Sequence, residues 1–238
     1  MDFVDPSVGW AITAPGGSRP PALLGTDDGG ARWHAASAPA VPESVCFSNR
    51  VEGYLGAGGS VYSTTDGART WSRVLVAPSI GSPQAAHVYC AGRHGAWALF
   101  TGRAVAAGNV AYIVYRSPDG GRWTPVLEQT QFRYPPAPEG PGAYPGPLSV
   151  VDPEAAAFIG NNPAVGTGQA VPVIVTEGGS ELAQGHPVPS LTGAVSASFP
   201  TTSRGWVVGP VPTGGWAVYV TVDGGSSWVP QLRIGART

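Results

Sequence analysis

The sequence predicts an all-β fold, a β-propeller of four-stranded antiparallel blades, from three observations. Two short motifs recur in the same order five times, seven of the eight tryptophans sit in those motifs, and glycine and proline are spread so evenly that no long helix can form. The chain has 238 residues, 35 of them Gly and 25 Pro, and the longest runs free of both are 43–52 and 68–77. Inside a helix Gly and Pro cost about 1 and 3 kcal/mol each. Long helices are thereby excluded, and with them a parallel α/β fold. Nothing approaches the roughly 20 apolar residues of a membrane-spanning helix. Yet 42% of residues are hydrophobic, with 8 Trp, 8 Tyr and 6 Phe, which implies a buried core rather than disorder.

The first motif is an aspartate, two small residues and, shortly after, a tryptophan. It reads Asp28-Gly29-Gly30…Trp33, Asp66-Gly67-Ala68…Trp71 and Asp223-Gly224-Gly225…Trp228, with a copy one residue shorter at Asp119-Gly120-Gly121-Arg122-Trp123. A decayed fifth copy is Glu177-Gly178-Gly179. A strand arrives at each copy, as in 110–116 and 216–222. The Asp carboxylate accepts hydrogen bonds from the turn's own N–H groups, and the glycines take positive φ. The next strand is expected to start at the Trp, whose face needs an apolar surface.

The second motif is a small residue, an aromatic and an apolar run. The aromatics are Trp10, Tyr54, Trp97, Phe158 and Trp206, spaced by 44, 43, 61 and 48 residues. Each repeat then reads as four short strands, clearest in the third at 86–91, 95–101, 110–116 and 122–128. Such units cannot bury both faces alone and stack on their neighbours. The expectation is one propeller domain over 1–238, with repeats at about 1–39, 40–80, 81–128, 148–186 and 190–238. The Pro/Gly-rich stretch 129–147 is an insertion between blades three and four. Five blades make either a ring with a short first strand or the C-terminal part of a six- or seven-bladed propeller.

At these residues the chain resembles the Asp-box (BNR) repeat propellers of the sialidase superfamily. The further pattern Phe3-Val4-Asp5…Gly9-Trp10-Ala11 is similar to repeats of the photosystem II stability/assembly factor-like family. That resemblance implies a propeller scaffold that binds a protein or peptide partner and helps assemble or stabilise a membrane protein complex. It also implies an extracytoplasmic location, although the first residues carry no signal peptide. The alternative is an Asp-box glycoside hydrolase or carbohydrate-binding propeller.

Catalytic residues and cofactors are not expected. Asp28, Asp66, Asp119 and Asp223 sit in the same turn of four repeats, so they read as structural turns rather than catalytic acids. A sialidase would need its Phe-Arg-Ile-Pro motif before the first Asp box. The one echo, Phe132-Arg133-Tyr134-Pro135, follows the third. The remaining acids, Glu52 among them, form no recognisable pair of the kind glycoside hydrolysis uses. His87, Cys90 and His94 with Cys46 are a weak zinc pattern, because positions 87 and 90 of a strand face opposite sides.

Cys46 and Cys90 occupy nearly equivalent places on the first strands of blades two and three. They are expected to form a disulfide in an oxidising compartment and to be two buried thiols in a reducing one. All 13 basic residues are Arg, scattered in a chain of net charge −2, which argues against nucleic-acid binding. Arg50, Arg93 and Arg204 fall in the turn after the first strand of their blades. By blade position they are the candidate partner-binding residues of one rim. Arg32, Arg69 and Arg122, in the box turns, are expected at the opposite strand ends. The expected assembly is a monomer without membrane insertion.

Overall fold

A computed structural model describes residues 1–14, 19–77, 85–104, 109–130, 140–162 and 169–235. These residues form an all-β fold of five four-stranded antiparallel sheets, each a meander in chain order. The first sheet contains β1 (Asp2–Phe3), β2 (Gly9–Ile12), β3 (Leu23–Thr26) and β4 (His34–Ala35). The second contains β5 (Pro42–Phe47), β6 (Gly53–Ala57), β7 (Ser60–Thr64) and β8 (Ser72–Val76), and the third β9 (Ala85–Ala91), β10 (Gly95–Ala104), β11 (Val110–Ser117) and β12 (Thr124–Gln129). The fourth has β13 (Leu148–Val150), β14 (Ala156–Asn162), β15 (Gln169–Thr176) and β16 (Glu181–Gln184), and the fifth β17 (Ser196–Ser198), β18 (Gly205–Pro210), β19 (Trp216–Thr221) and β20 (Val229–Ile234). Among the described residues no helix is long and apolar enough to cross a membrane.

The box tryptophans Trp33, Trp71, Trp123 and Trp228 precede their outer strands rather than opening them. In the first, second and fifth sheets the turn runs on through the Trp, because its carboxylate still binds the N–H just before that ring.

The chain divides into two compact units, one of Met1–Arg103 with Val114–Thr124, the other of Ala104–Ile113 with Pro125–Thr238. In the first unit the leading strands lie side by side and are sewn together by side chains. The Asp2 carboxylate accepts from Phe47 N at 2.6 Å, Glu43 accepts from Ala86 N at 2.7 Å, and Ser44 Oγ accepts from Val88 N while donating to Ala86 O. In the second unit Ser149 Oγ does the same for Phe199 N at 2.8 Å. These bonds satisfy strand-edge groups that a four-stranded sheet leaves open.

The core is built from the second motif. Phe3, Phe47 and Phe199 each lie over the glycine six residues on, Gly9, Gly53 and Gly205, where an added Cβ would strike the ring. The same three rings meet the box tryptophans of their own sheets edge-on, Phe3 with Trp33 at 6.0 Å, Phe47 with Trp71 at 6.2 Å and Phe199 with Trp228 at 6.5 Å. In these three sheets the small residue of the motif is therefore required by contact with an aromatic ring.

Of the stretch read as an insertion, residues 140–147 are described, and they bind the sheets of the second unit. Val110 N donates to Ala143 O, Tyr144 bridges Asn161, and Tyr112 Oη donates to Gly142 O at 3.0 Å. Phe132, Arg133, Tyr134 and Pro135 lie outside the described residues.

Candidate functional site

Three box turns share one geometry. Thr26, Thr64 and Thr221, two residues before the Asp, donate to Asp28, Asp66 and Asp223 at 2.8–2.9 Å. The same hydroxyls accept from the N–H of Gly30, Ala68 and Gly225. Each carboxylate then accepts from the N–H four residues on, at Arg32, Thr70 and Ser227. These bonds favour the ionised form. The hydroxyl of Thr70, then its N–H, hold Asp66 down at about 2, and Ser227 does the same for Asp223. The carboxylates are occupied in their own turns.

The third box departs from this pattern, contrary to the expectation of four equivalent turns. Asp119 accepts a single hydrogen bond, from Gly121 N to Oδ1 at 2.9 Å. Ser117 stands where the others have Thr, but its buried hydroxyl has no partner, and neither has the indole N–H of Trp123. In the second and fifth sheets that indole donates to a backbone carbonyl, Trp71 to Ser37 O and Trp228 to His186 O. The missing residue shortens the turn, so Gly121 does not take positive φ as Gly30, Ala68 and Gly225 do. In the decayed copy Gly178 and Gly179 keep positive φ and Glu177 takes it too, but Glu177 is not the acceptor, and Thr176 Oγ1 meets Glu181 at 3.5 Å instead.

The box turns lie at the same strand ends as the first hairpin turns, not at opposite ends. The N–H groups of Gly29, Gly67 and Gly224 donate to Ser7 O, Val51 O and Ser203 O at 2.8–2.9 Å. In a four-stranded meander the first and third turns must share an end, because each strand reverses direction. Arg69 and Arg122 are therefore on the end that carries Arg50 and Arg93 in their own sheets, and Arg32 is on the first-turn end of sheet one.

The three candidate arginines have different surroundings. Arg50 Nε donates to Asp5 Oδ2 at 2.7 Å and Nη2 donates to Ser7 Oγ, tying the first turn of sheet one to that of sheet two. The guanidinium holds Asp5 well below the usual carboxylate range. Arg204, in the second unit, lies over its neighbour Trp206, 5.2 Å from the ring centroid. Arg93, in the β9–β10 turn, is exposed. Cys46 on β5 and Cys90 on β9 are joined by a disulfide with Cα atoms 5.6 Å apart. Among the described residues no group of three His, Cys, Asp or Glu is placed to hold a metal.

Two cavities stand out, one in each unit. In the first unit a polar cavity of about 160 Å³ opens between the turns of sheets two and three. Glu52, Tyr54, His94 and Asp119 line it, with hydroxyls of Ser48, Ser63, Thr64 and Thr65. Glu52 Oε2 accepts from Asn49 Nδ2 at 2.7 Å and lies 3.3 Å from His94 Nδ1. Tyr54 donates to His94 O at 2.7 Å. Burial first, then the charges of Glu52 and Asp119, push its phenol up to about 12. In the second unit a cavity of about 450 Å³ is walled by Pro187, Pro189, Pro212, Val188, Leu191 and Val211, with Arg233 beside it.

Sequence reasoning missed that Glu52 and Asp119 line one cavity, and it missed the box threonines and Arg233. The threonines had a readable signal, a hydroxyl two residues before every intact Asp. The cavity residues had none, since they come from four separate turns.

No protein-family model matches the chain, and no curated protein matches it. Among solved structures it is similar to the GH74 xyloglucanase from Xanthomonas campestris, with TM-score 0.67 and 16% identity over 98% of this chain and 37% of that one. The chain thus spans little more than a third of the xyloglucanase. It is also similar to the six-bladed β-propeller lectin of Aleuria aurantia, with TM-score 0.50 and 10% identity over 91% and 71% of the two chains. The structure of YCF48 bound to D1 peptide matches at 19% identity over 96% of this chain and 78% of that one, with TM-score 0.43. The fold is a β-propeller of four-stranded antiparallel sheets, four of which carry an Asp-Gly turn.

Proposed function

We propose that this protein is a non-catalytic β-propeller that binds a protein or peptide partner. The observation that supports this best is the cavity of about 450 Å³ in the second unit, three prolines and three aliphatic side chains with one arginine beside them. Its volume falls in the range of about 300–1,000 Å³ typical of ligand pockets. An apolar bed with a single cation suits an apolar peptide side chain flanked by a carbonyl or carboxylate, because a guanidinium only donates hydrogen bonds. The repeat motifs resemble those of photosystem II assembly factor-like propellers, and they extend the reading to a subunit of a membrane complex as the partner. Arg50 and Arg93 in the first unit, and Arg204 in the second, are the candidate partner-contacting residues of their own units, where exposed charge would steer encounter.

The test is a panning of the whole chain against a displayed peptide library, followed by titration of the selected peptides at low and high salt. Binding that falls about tenfold in Arg233→Ala supports the reading. Absence of any selected sequence, or unchanged affinity in that variant, overturns it. The rival reading, a glycoside hydrolase, finds its one favourable observation in Glu52 and Asp119, which line a common cavity. Turnover of aryl glycosides that is lost in Glu52→Gln would establish it.

A further inference from the structure

We infer that the polar cavity between the turns of sheets two and three is a binding site for a guanidinium group, the end of an arginine side chain. Two carboxylates line this cavity, Glu52 and Asp119, and no Lys or Arg does. Glu52 is engaged through Oε2, by Asn49 and His94, which leaves Oε1 as an open acceptor. Asp119 is engaged through Oδ1 alone, in contrast to Asp66 and Asp223, whose two oxygens both accept. The hydroxyl of Tyr54 points its proton at His94 O, so it too offers its lone pairs rather than a donor. The hydroxyls of Ser63 and Thr65 add acceptors. Two carboxylates against one imidazole, with an acceptor phenol and hydroxyls that can accept, are complementary to a group that presents five N–H donors and accepts none.

Size narrows the ligand further. At about 160 Å³ the cavity holds the equivalent of roughly five waters at ~30 Å³ each. That is well below the pockets that enclose whole drug-sized ligands. It matches the planar end of one side chain. The floor is kept open by Gly120, at φ 77°, where an added Cβ would run into the Tyr54 hydroxyl and lie 3.0 Å from His94 O. This site lies in the first unit and does not rest on the apolar cavity of the second, so loss of peptide binding in Arg233→Ala leaves it standing.

The probes are N-acetyl-arginine methylamide, N-acetyl-lysine methylamide and the isosteric neutral N-acetyl-citrulline methylamide, titrated into the full chain. Calorimetry and the nitrogen-15 shifts of the His94 ring report binding. The expected order is arginine, then lysine, with citrulline at least tenfold weaker. Glu52→Gln and Asp119→Asn, both isosteric, should each weaken arginine binding about tenfold, and the His94 shifts should follow the titration. Gly120→Ala tests the floor independently of charge and should abolish binding while circular dichroism stays unchanged. Equal affinity for citrulline and arginine, arginine affinity unchanged in Glu52→Gln, or no saturable binding of arginine would each overturn the assignment. Stronger binding of lysine than arginine would overturn the guanidinium and leave an ammonium site.

Discussion

Phe47 lies flat on Trp10, their ring centroids 3.5 Å apart and their planes within 7°. One ring comes from the end of β5 and the other from β2, so this stack joins the first sheet to the second. Trp71 closes the other side edge-on, and Gly53 lies beneath. Both stacked residues are about 5% exposed, so almost all of their surface is shared with other protein atoms.

Truncation of Phe47 should therefore uncouple two sheets. Phe47→Ala is expected to cost about 3–5 kcal/mol, the range for an aromatic removed from a packed core. Phe47→Leu should cost less than half as much. Urea unfolding followed by tryptophan fluorescence measures both. A cost under 1 kcal/mol for the alanine variant would show that the sheets do not depend on this stack.

The box turns predict opposite outcomes at equivalent positions. Thr64 is buried and its hydroxyl serves Asp66 and two N–H groups, so Thr64→Val strands those groups and should cost about 1–3 kcal/mol. Ser117 holds the same place in the third sheet with a buried hydroxyl that bonds nothing, so Ser117→Ala should be neutral or stabilising. Equal losses in the two variants would restore the idea that all four boxes are the same turn.

Acid should weaken the fold in a defined window. Asp66 and Asp223 are held at about 2, against 3.8 for a free carboxyl, and Asp5 and Asp28 are also lowered. A depressed carboxyl contributes stability that is complete above its unfolded value and disappears as pH falls through its folded value. The melting temperature should therefore fall between about pH 4 and pH 2, and less steeply in Asp66→Asn than in the parent. Thermal melts across that range test it, and an identical slope in the variant would contradict the linkage.

The bond between Cys46 and Cys90 closes a separation of 44 residues between two leading strands. Chain entropy sets its stabilisation at no more than about 4 kcal/mol. The double variant Cys46→Ala/Cys90→Ala, and the parent in excess reductant, should both unfold at lower urea concentration by a similar margin. A parent indifferent to reductant would mean that the side-chain bonds from Glu43 and Ser44 already hold β5 to β9.

Much of this molecule is written in short stretches of chain. The turns at Asp28, Asp66 and Asp223 depend on a threonine, a carboxylate and two small residues within a few positions of one another. Hydrogen bonds that local form wherever the stretch occurs, which is why the sequence alone located the hairpins, the strand pattern and the four-stranded repeat. The equivalence of Cys46 and Cys90 was likewise visible from their distances to the next aromatic. What the tertiary structure decided is everything that joins separate turns. Glu52, His94 and Asp119 come from three turns of two sheets, and only the packing of β5 and β6 beside β9 brings them to one cavity. The shortened third box was plain in the sequence, but its consequence, an aspartate with only one oxygen held by its own turn, depends on where Ser117 and Gly121 come to rest. Arg50 read as an open surface residue until the neighbouring sheet placed Asp5 at 2.7 Å. Local hydrogen bonding carries its own address in the chain, whereas charge pairing and cavities are set by contacts between residues far apart in it.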